Sequence, residues 1–285
     1  MSSPKEIIRQ YEIKPRKKMG QSFLLDQNII RRIAQTAQVT KNDIVVEIGA
    51  GIGVLTEDLA QNADSLIAVE LDNKLVEVLN DKLLKYNNVQ IYAGDILRFN
   101  FGAMQTDGQK KIKVVGNVPY NISSPVLFHL LANRQEIDSF VLMLQKEVVE
   151  RLVAPPGGKS YGVPSVILQM FADVEKVFDV PASCFYPRPK VESSVIKGFF
   201  RKKPLVELAD EEFFIRLVRD SFAQRRKMLI NNLKVSRLLS ELAETDIKSA
   251  LDSVGIDARR RGETLSVKEF GNLSNLLVSL CRNQQ

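Results

Sequence analysis

The chain has 285 residues, of which 45% are hydrophobic and 26% are charged. This composition is ordinary for a globular protein, and the length allows one large domain and a smaller one. Two cysteines, Cys184 and Cys281, are too few and too far apart for a disulfide framework or a cysteine metal site. Neither a secretory signal pattern nor an apolar run of about 18 residues is present, so we expect a cytoplasmic protein without membrane contact. The net charge of +6 is compatible with a polyanionic partner, and equally with a merely basic enzyme.

Up to about Arg201, short β-rich runs alternate with helical patterns. Ser124 and Pro125 predict one helix start, with serine as the N-cap residue and proline in the first helical position. Because strands and helices alternate, we expect a mostly parallel sheet with helices on both faces. The predicted strands are residues 44–48, 66–70, 89–92, 113–116 and 139–144, and further predicted helices are residues 54–61 and 74–85.

The strand pattern ends with a different kind of pair. Residues 174–180 and 191–200 predict two strands that are joined by the proline-rich loop 181–189. Such a pair is expected to form an antiparallel edge on the sheet, as is common in large sheets.

The last part of the chain shows only helical periodicity. Ser266 and Glu269 form a capping-box pattern before the final helix. We therefore expect an α/β domain over residues 1–203 and a small all-helical domain over residues 204–285.

Polar and glycine residues follow four predicted strands in succession. The carboxyl ends of strands in an open α/β sheet form the edge at which ligands bind. A carboxylate after the second strand can accept hydrogen bonds from ribose hydroxyls, and one after the third strand can accept a hydrogen bond from an adenine amine. The residues concerned are Gly49, Gly51 and Gly53 after the first strand, then Glu70, Asp95 and Asn117 at the next three.

The glycine spacing separates two kinds of cofactor. A dinucleotide fingerprint has the form G-x-G-x-x-G, in which the last glycine closes on a pyrophosphate. Here Gly53 comes one residue early, and Val54 stands at the last position of the fingerprint. The form G-x-G-x-G resembles that of methyltransferases, whose cofactor S-adenosylmethionine has no pyrophosphate. We therefore expect S-adenosylmethionine, and a nicotinamide-dependent dehydrogenase stays a distant alternative.

Asn117, Val118, Pro119 and Tyr120 are the predicted catalytic residues. The lone pair of an adenine amine is delocalised into the ring, so the nitrogen is a poor nucleophile until it begins to pyramidalise. The amide oxygen of Asn117 and the carbonyl of Val118, made rigid by Pro119, can accept both N–H bonds and favour that change. Tyr120 offers an aromatic face for an extruded or unpaired base. An ordinary turn after a strand is the alternative interpretation.

Six stretches of the chain resemble the family of ribosomal RNA small-subunit (16S) adenine N6,N6-dimethyltransferases. Together they extend over nearly the whole chain, and the third of them surrounds Asn117. They are residues 17–24 (KKMGQSFL), 46–56 (VEIGAGIGVLT), 116–125 (GNVPYNISSP), 158–166 (GKSYGVPSV), 185–193 (FYPRPKVES) and 222–227 (FAQRRK).

The resemblance implies a Rossmann-like, S-adenosylmethionine-dependent methyltransferase domain and a helical RNA-binding domain. It implies that the acceptors are two adjacent adenines in a hairpin loop near the 3′ end of 16S rRNA, each methylated twice at N6. The substrate particle would be the 30S subunit or its precursor, with a role in subunit biogenesis, and we expect a monomer. Cofactor-binding roles are implied for Ser22, Leu24, Gly49, Glu70, Asp95 and Asn117, and base stacking for Tyr120 and Phe185.

Three residues depart from the motifs of the family. Ser22 replaces asparagine, Val118 replaces leucine and Pro164 replaces leucine. The first change alters a hydrogen-bonding group near the cofactor. The second is harmless if only the carbonyl acts, and the third can alter the start of a helix.

Three basic clusters are candidates for contacts with RNA phosphates, which would make binding depend on salt. A solvated surface is the alternative interpretation for each of them. The clusters are Lys14, Arg16, Lys17 and Lys18, then Arg225, Arg226 and Lys227, and finally Arg259, Arg260 and Arg261.

Two other functions are compatible with the sequence. Large-subunit (23S) rRNA adenine methyltransferases of the antibiotic-resistance type share the cofactor loop and an N-x-P-Y element, although the F-x-P-x-P-K-V element favours the small-subunit family. A small-subunit assembly factor that works without catalysis is the second alternative. The lone histidine, His129, lies in an apolar run and is expected to pack within a helix, so we expect no metal site and no histidine-based triad.

Overall fold

The computed structural model describes residues 4–16, 20–104 and 112–283 of the chain. The chain divides into two compact units: Met1–Val149 with Glu175–Phe200, here called unit 1, and Glu150–Val174 with Arg201–Gln285, here called unit 2. The domains expected from the sequence differ from these units mainly in residues 150–174, which belong to unit 2. Tertiary packing joins these residues to the helices of unit 2. For example, Phe171 packs edge-on against Phe214, with the ring centroids 6.4 Å apart.

Strands and helices alternate along unit 1, and the predicted elements are confirmed with ends shifted by a few residues. In chain order they are α1 (Pro4–Gln10), β1 (Phe23–Leu24), α2 (Gln27–Ala37), β2 (Ile44–Ile48), α3 (Val54–Ala60), β3 (Ser65–Glu70), α4 (Asn73–Lys82), β4 (Val89–Ala93), β5 (Ile112–Asn117), α5 (Ser123–Ala132), β6 (Ile137–Gln145), α6 (Lys146–Leu152), β7 (Ala172–Val180), β8 (Phe185–Tyr186) and β9 (Ser193–Phe200). Both α6 and β7 contain residues of the two units.

Seven strands of the described residues form one sheet in the order β4-β3-β2-β5-β6-β9-β7. The pairs β2–β3, β2–β5, β3–β4 and β5–β6 are parallel, whereas β6–β9 is antiparallel. The predicted parallel sheet with an antiparallel edge is therefore confirmed. Val45 and Val46 of β2 point to opposite faces and are both fully buried, as expected when helices cover both faces.

Helix α5 begins differently from the prediction. Its N-cap residue is Ile122, and no side chain caps this helix. Ser123 is the first helical residue, and its hydroxyl donates to the carbonyl of Tyr120 over 3.2 Å. The prediction of Ser124 as the N-cap residue, with Pro125 first in the helix, is therefore wrong. Pro125 still fits, because the first four N–H groups of a helix have no partner within it.

Two apolar clusters hold the outer elements of unit 1 to its sheet. The larger cluster joins α2 and α3 to the sheet, with Ile30 and Val115 fully buried in it. The smaller cluster places Ile7 of α1 and Phe23 of β1 against Ile52 in the glycine-containing loop. The N-terminal segment therefore packs beside the loop that is expected to bind the cofactor.

Unit 2 is mainly helical in the residues that the structure describes. The predicted capping box is confirmed, because the Ser266 N–H donates to Glu269 Oε2 over 2.7 Å and the Glu269 N–H donates to Ser266 Oγ over 3.2 Å. No helix in the described ranges is long and apolar enough to cross a membrane. The helices are α7 (Val163–Phe171), α8 (Glu211–Ser221), α9 (Leu229–Leu233), α10 (Glu244–Ser253) and α11 (Val267–Asn283).

Pro164 lies in the first turn of α7, after the N-cap residue Gly162. The Gly162 N–H donates to Ser165 Oγ over 3.0 Å, which stabilises this helix start. Proline in a first turn removes no intrahelical hydrogen bond. The helix therefore accommodates the departure at Pro164.

Candidate active site

A cavity of about 260 Å³ lies in unit 1 at the carboxyl ends of β2, β3, β4 and β5. Its size is close to the roughly 300 Å³ at which small-molecule pockets begin. Most of the predicted site residues line it together: Ser22, Gly49, Glu70, Asp95, Asn117, Val118, Pro119 and Tyr120. Several other wall residues were not predicted as site residues, although all but Leu71 and Ile96 lie in the motif stretches 17–24 and 116–125: Gly20, Gln21, Phe23, Leu71, Ile96, Asn121 and Ile122.

The loop between β2 and α3 requires glycine because of its backbone conformation. Gly49, Gly51 and Gly53 have φ angles of 69°, 58° and 74°, in the left-handed region that disfavours residues with a Cβ. The Gly49 N–H donates to the carbonyl of Val69 over 3.0 Å, which ties the loop to β3. The loop therefore presents backbone, without side chains, at the two glycines that line the cavity.

Glu70 ends β3 and is 8% exposed. Its Oε2 accepts from the Gly51 N–H, and its Oε1 accepts from the N–H groups of Leu71 and Asp72, each over 2.9 Å. Burial raises the pKa of Glu70, and the three backbone hydrogen bonds act against this rise. A carboxylate has about four acceptor positions, so roughly one remains for a ligand hydroxyl.

Asp95 follows β4 and caps the short 3-10 turn Ile96–Arg98. Its Oδ1 accepts from the Leu97 N–H over 2.9 Å, which leaves Oδ2 for a ligand amine. Behind this turn, His129 Nε2 of α5 donates to the Phe99 carbonyl over 3.0 Å. His129 thus packs within the fold, as expected, and also holds the loop that carries Asp95.

Asn117 ends β5, and the N-terminal segment orients its side chain. Its Nδ2 donates to the backbone carbonyl of Ser22 over 3.1 Å, which leaves Oδ1 as an acceptor. Val118 is fully buried, and its N–H donates to the Met143 carbonyl over 3.2 Å. Among the described residues, no backbone N–H donates to the Val118 carbonyl. Adjacent residues can therefore offer two acceptors, Asn117 Oδ1 and the Val118 carbonyl.

Tyr120 follows Pro119 on the cavity wall. Its hydroxyl shares a 2.6 Å hydrogen bond with Ser193 Oγ at the start of β9. Burial raises the pKa of Tyr120, and the bond to Ser193 opposes that rise, so the phenol is neutral at neutral pH. A neutral ring that is anchored at its far end is suited to stacking against a base.

Two predicted site residues lie elsewhere. Leu24 and Phe185 are opposite each other in the antiparallel pair β1–β8, and both belong to the larger apolar cluster. The two residues are 6% and 4% exposed, and neither lines the cavity. Phe185 packs in the apolar core in this structure and not on the cavity wall that carries Tyr120, and its predicted stacking against the base stays a prediction. The Leu24 side chain packs in the same cluster, and the predicted cofactor-binding role of Leu24 stays a prediction.

Ser22 acts through its backbone as well as its side chain. Its hydroxyl donates to the Pro187 carbonyl over 2.8 Å, and its own carbonyl accepts from Asn117. The contact with Asn117 does not depend on which side chain stands at this position. The departure at Ser22 therefore leaves the orientation of Asn117 intact.

Asp72 connects the N-terminal segment to the edge of the cavity. Its carboxylate caps α4 by accepting from the Lys74 N–H over 3.1 Å, and it also accepts from Gln21 Nε2 over 2.9 Å. It forms an ion pair with Arg16 at 3.3 Å. The motif over residues 17–24 could have indicated Gln21, whereas no sequence pattern marked Asp72. The basic candidates of residues 17–18 lie outside the described residues.

The family model described as ribosomal RNA adenine dimethylase matches residues 13–277. The chain belongs to this family. A ribosomal RNA small subunit methyltransferase A from Syntrophus aciditrophicus is 41% identical, and the match covers 97% of this chain and 99% of the relative. A relative of the same name from Bacillus cytotoxicus is 44% identical, with 96% of this chain and 95% of the relative covered.

Two solved structures are similar over most of their length. A dimethyladenosine transferase from Plasmodium falciparum has a TM-score of 0.74 at 28% identity, with 87% of this chain and 94% of that chain covered. The 23S rRNA methyltransferase ErmE has a TM-score of 0.71 at 25% identity, with 90% and 99% covered. The predicted methyltransferase fold, the enzyme class and the cofactor S-adenosylmethionine are therefore confirmed.

The residues of the cavity fit the cofactor of the family. Gly49 and Gly51 expose backbone, Glu70 keeps an acceptor for a ribose hydroxyl, and Asp95 Oδ2 can accept from the adenine amine. These residues would hold the nucleoside part of S-adenosylmethionine. The early third glycine agrees with a ligand that has no pyrophosphate, which argues against the dehydrogenase alternative.

Proposed function

We propose that this rRNA adenine dimethyltransferase acts at N6 of two adjacent adenines in a hairpin loop near the 3′ end of 16S rRNA, within the 30S subunit or its precursor. The observation that carries the proposal is the orientation of Asn117, whose amide donates to Ser22 and so keeps its oxygen for the target amine. The protein acts as a monomer in the cytoplasm, where it contributes to maturation of the subunit.

The chemistry follows from the two acceptors at the end of β5. Asn117 Oδ1 and the Val118 carbonyl each accept one N–H bond of the adenine amine, which favours a pyramidal nitrogen with an available lone pair. When bound, S-adenosylmethionine supplies an electrophilic methyl group. No strong base is required, because the proton leaves only after the nitrogen has become positively charged. The main task of the chain is therefore to align the amine in line with the methyl donor.

Tyr120 holds the target base in position. A base inside a helical stack cannot bring its amine into a cavity, so the adenine must be unpaired or extruded. The neutral ring of Tyr120, fixed by Ser193, stacks against this base.

The choice of 16S over 23S rRNA is supported by the relatives. The two curated relatives carry small-subunit names at 41% and 44% identity, whereas the 23S enzyme ErmE is 25% identical. The loop over residues 185–193, with its F-x-P-x-P-K-V pattern, favours the same choice.

Unit 2 supplies cations for RNA phosphates. The basic cluster of residues 225–227 contains one ion-paired residue and two that, in the described part of the chain, are not ion-paired. Arg225 forms an ion pair with Glu263. Arg226 and Lys227 are exposed, and neither takes part in an ion pair within the described residues. The last two are therefore the ones that we assign to phosphate contacts.

The cluster over residues 259–261 also contains both ion-paired residues and one that, among the described residues, is not ion-paired. Arg259 pairs with Asp257, and Arg260 pairs with Glu269. Arg261 is exposed and has no ion-pair partner in the described part of the chain. We assign it to a third phosphate contact.

Methylation of purified particles tests the proposed substrate. Undermethylated 30S subunits and 23S rRNA are incubated separately with the protein and labelled S-adenosylmethionine, and the RNA is mapped by mass spectrometry. Dimethyladenosine is expected at two adjacent positions of 16S rRNA, with none in 23S rRNA. Label only in 23S rRNA would overturn the substrate, and binding to 30S subunits without any transfer would indicate an assembly factor. Asn117→Ala should abolish transfer and still bind 30S subunits.

A further inference from the structure

The ribbon formed by β1 and β8 has two faces with different surroundings. Residues directly opposite in an antiparallel pair share a face, and successive residues alternate between faces. Leu24 lies opposite Phe185, and Phe23 lies opposite Tyr186. The first pair is buried in the larger apolar cluster, so the second pair occupies the other face of the ribbon.

The face of Phe23 and Tyr186 is the one beside the cavity. Phe23 lines the cavity, and its Cδ1 is 3.5 Å from the position that a Cβ on Gly51 would take. Tyr186 does not line the cavity, and 48% of its surface is exposed. An exposed aromatic ring therefore shares a face with a residue of the cavity wall.

The backbone after Tyr186 is attached to the same wall. Ser22 Oγ donates to the Pro187 carbonyl over 2.8 Å, and the Leu25 N–H donates to the Cys184 carbonyl over 2.8 Å. These bonds hold both ends of β8 against the N-terminal segment. Tyr186 is therefore kept beside the cavity by hydrogen bonds on either side of it.

The loop that follows carries positive charge without compensation. Arg188 and Lys190 are exposed, and neither forms an ion pair in the residues that the structure describes. The acidic residue of this loop, Glu192, is paired with Lys146 at 2.8 Å. An exposed aromatic ring next to free cations is the combination that binds single-stranded nucleic acid.

We propose that Tyr186, Arg188 and Lys190 form a second base-binding surface, which takes an unpaired nucleotide next to the adenine in the cavity. The inference rests on the proposed function, because it requires an RNA substrate. Tyr186 stacks on the neighbouring base, and the two cations contact its phosphates. Stacking tolerates any base. Such tolerance suits a substrate in which two adjacent adenines enter the cavity in turn, because the neighbouring nucleotide then changes.

Variants of Tyr186 in the full chain test the stacking. The affinity for undermethylated 30S subunits and the affinity for S-adenosylmethionine are measured separately. Tyr186→Ala and Tyr186→Leu are expected to lower the affinity for 30S subunits about tenfold, since leucine keeps apolar bulk but cannot stack. Tyr186→Phe should bind as the wild type does. Phe199→Ala is the matched control, because Phe199 is another exposed aromatic residue of unit 1. This variant should leave the affinity for 30S subunits unchanged.

The two cations are tested through salt dependence. The double variant Arg188→Ala, Lys190→Ala is expected to reduce the slope of log affinity against log salt by roughly 1 to 2. An unchanged slope would remove both residues from the surface.

Three results with the Tyr186 variants would overturn the stacking. They are wild-type affinity in Tyr186→Ala, an equal loss in Tyr186→Phe, or a parallel loss of S-adenosylmethionine affinity, which would mark Tyr186 as a support for Phe23. Failure of the proposed function is seen independently, because the wild type would then transfer no methyl group to 30S subunits. If the wild type labels 23S rRNA instead, the same affinities are measured with that RNA.

Discussion

The side-chain amide of Asn117 donates to the backbone carbonyl of Ser22 over 3.1 Å. An asparagine side chain can present either its oxygen or its nitrogen to a ligand, and this bond selects the oxygen. The Ser22 carbonyl is held in turn by the backbone, because the next residue, Phe23, pairs with Tyr186. The acceptor in the active site therefore depends on a contact between segments that are 95 residues apart.

Asn117→Asp is expected to lower the methylation rate by about 100-fold or more. Aspartate has nearly the same shape, but it has no N–H to donate, and its charge repels the Ser22 carbonyl. The acceptor is then no longer held in its orientation. Single-turnover methylation of 30S subunits measures the effect.

The affinity for S-adenosylmethionine is the necessary companion measurement, because Asn117 also lies on the cofactor wall. The orientation argument requires that the rate fall much more than this affinity. A variant with a near-normal rate would contradict the role of the Ser22 contact.

Glu47 in β2 is a buried carboxyl group, 2% exposed, and burial raises its pKa from 4.5 to about 8. The Thr56 hydroxyl lies near enough to oppose this rise, although neither Glu47 Oε2 nor Thr56 Oγ1 makes a hydrogen bond of normal geometry in the described residues. Because the pKa in the folded state lies above that in the unfolded state, the neutral form stabilises the fold. This stabilisation is complete below pH 4.5 and is lost as the pH rises towards about 8.

The free energy of unfolding is therefore expected to fall between about pH 4.5 and pH 8, by on the order of 1 kcal/mol per pH unit from Glu47. Glu47→Gln keeps the size and stays neutral, so the variant should lose this part of the dependence and be more stable at the alkaline end. Burial of Glu70 contributes in the same direction and remains in the variant. Urea unfolding at several pH values measures both proteins, and parallel curves would show that Glu47 is already charged in the fold.

The order of strands and helices in unit 1 could be predicted, because each strand of a covered parallel sheet is a short apolar run. The start of α5 could not, because its N-cap residue is Ile122 and no side chain caps it, so no capping residue in the sequence marks it. The assignment of residues 150–174 to unit 2 also rests on tertiary packing, such as that of Phe171 against Phe214. Local sequence patterns therefore predict which helices and strands form better than they predict where these elements end or to which unit they belong.

The same distinction applies to the candidate site: residues marked by a local pattern could be predicted, and contacts between distant segments could not. Glu70 and Asn117 could be placed together from the sequence, because the carboxyl ends of parallel strands meet at one edge. The contact of Gln21 with Asp72 could not, because it joins segments 51 residues apart with no shared pattern. The burial of Phe185 in the apolar cluster could not be predicted either, since the face of a residue in a short strand depends on a register that sequence does not reveal.

Arg226→Gln is expected to weaken RNA binding, whereas Arg225→Gln is expected to lower the stability of the fold. Arg226 is exposed without an ion-pair partner in the described residues, so its loss should weaken binding to 30S subunits. It should also reduce the slope of log affinity against log salt by about 1 and leave unfolding unchanged. Filter binding over a range of salt concentrations measures the slope.

Arg225 is the matched control within the same loop. It pairs with Glu263 and donates to the Lys159 carbonyl, so its loss should lower the free energy of unfolding by up to about 1 kcal/mol. An unchanged salt slope in Arg226→Gln, or an equal loss of slope in both variants, would refute the division into paired and phosphate-binding arginines.

Phe185→Leu separates core packing from base stacking. In the apolar cluster, the smaller side chain should cost about 1 to 2 kcal/mol of unfolding free energy while the methylation rate of folded protein stays near normal. Tyr186→Ala should show the reverse, with normal stability and weaker binding to 30S subunits. A Phe185→Leu protein of normal stability that has lost most of its rate would place the Phe185 ring against the base. Since a slip of β8 by one residue would exchange the two faces of the ribbon, the two variants together test the register on which the second base-binding surface depends.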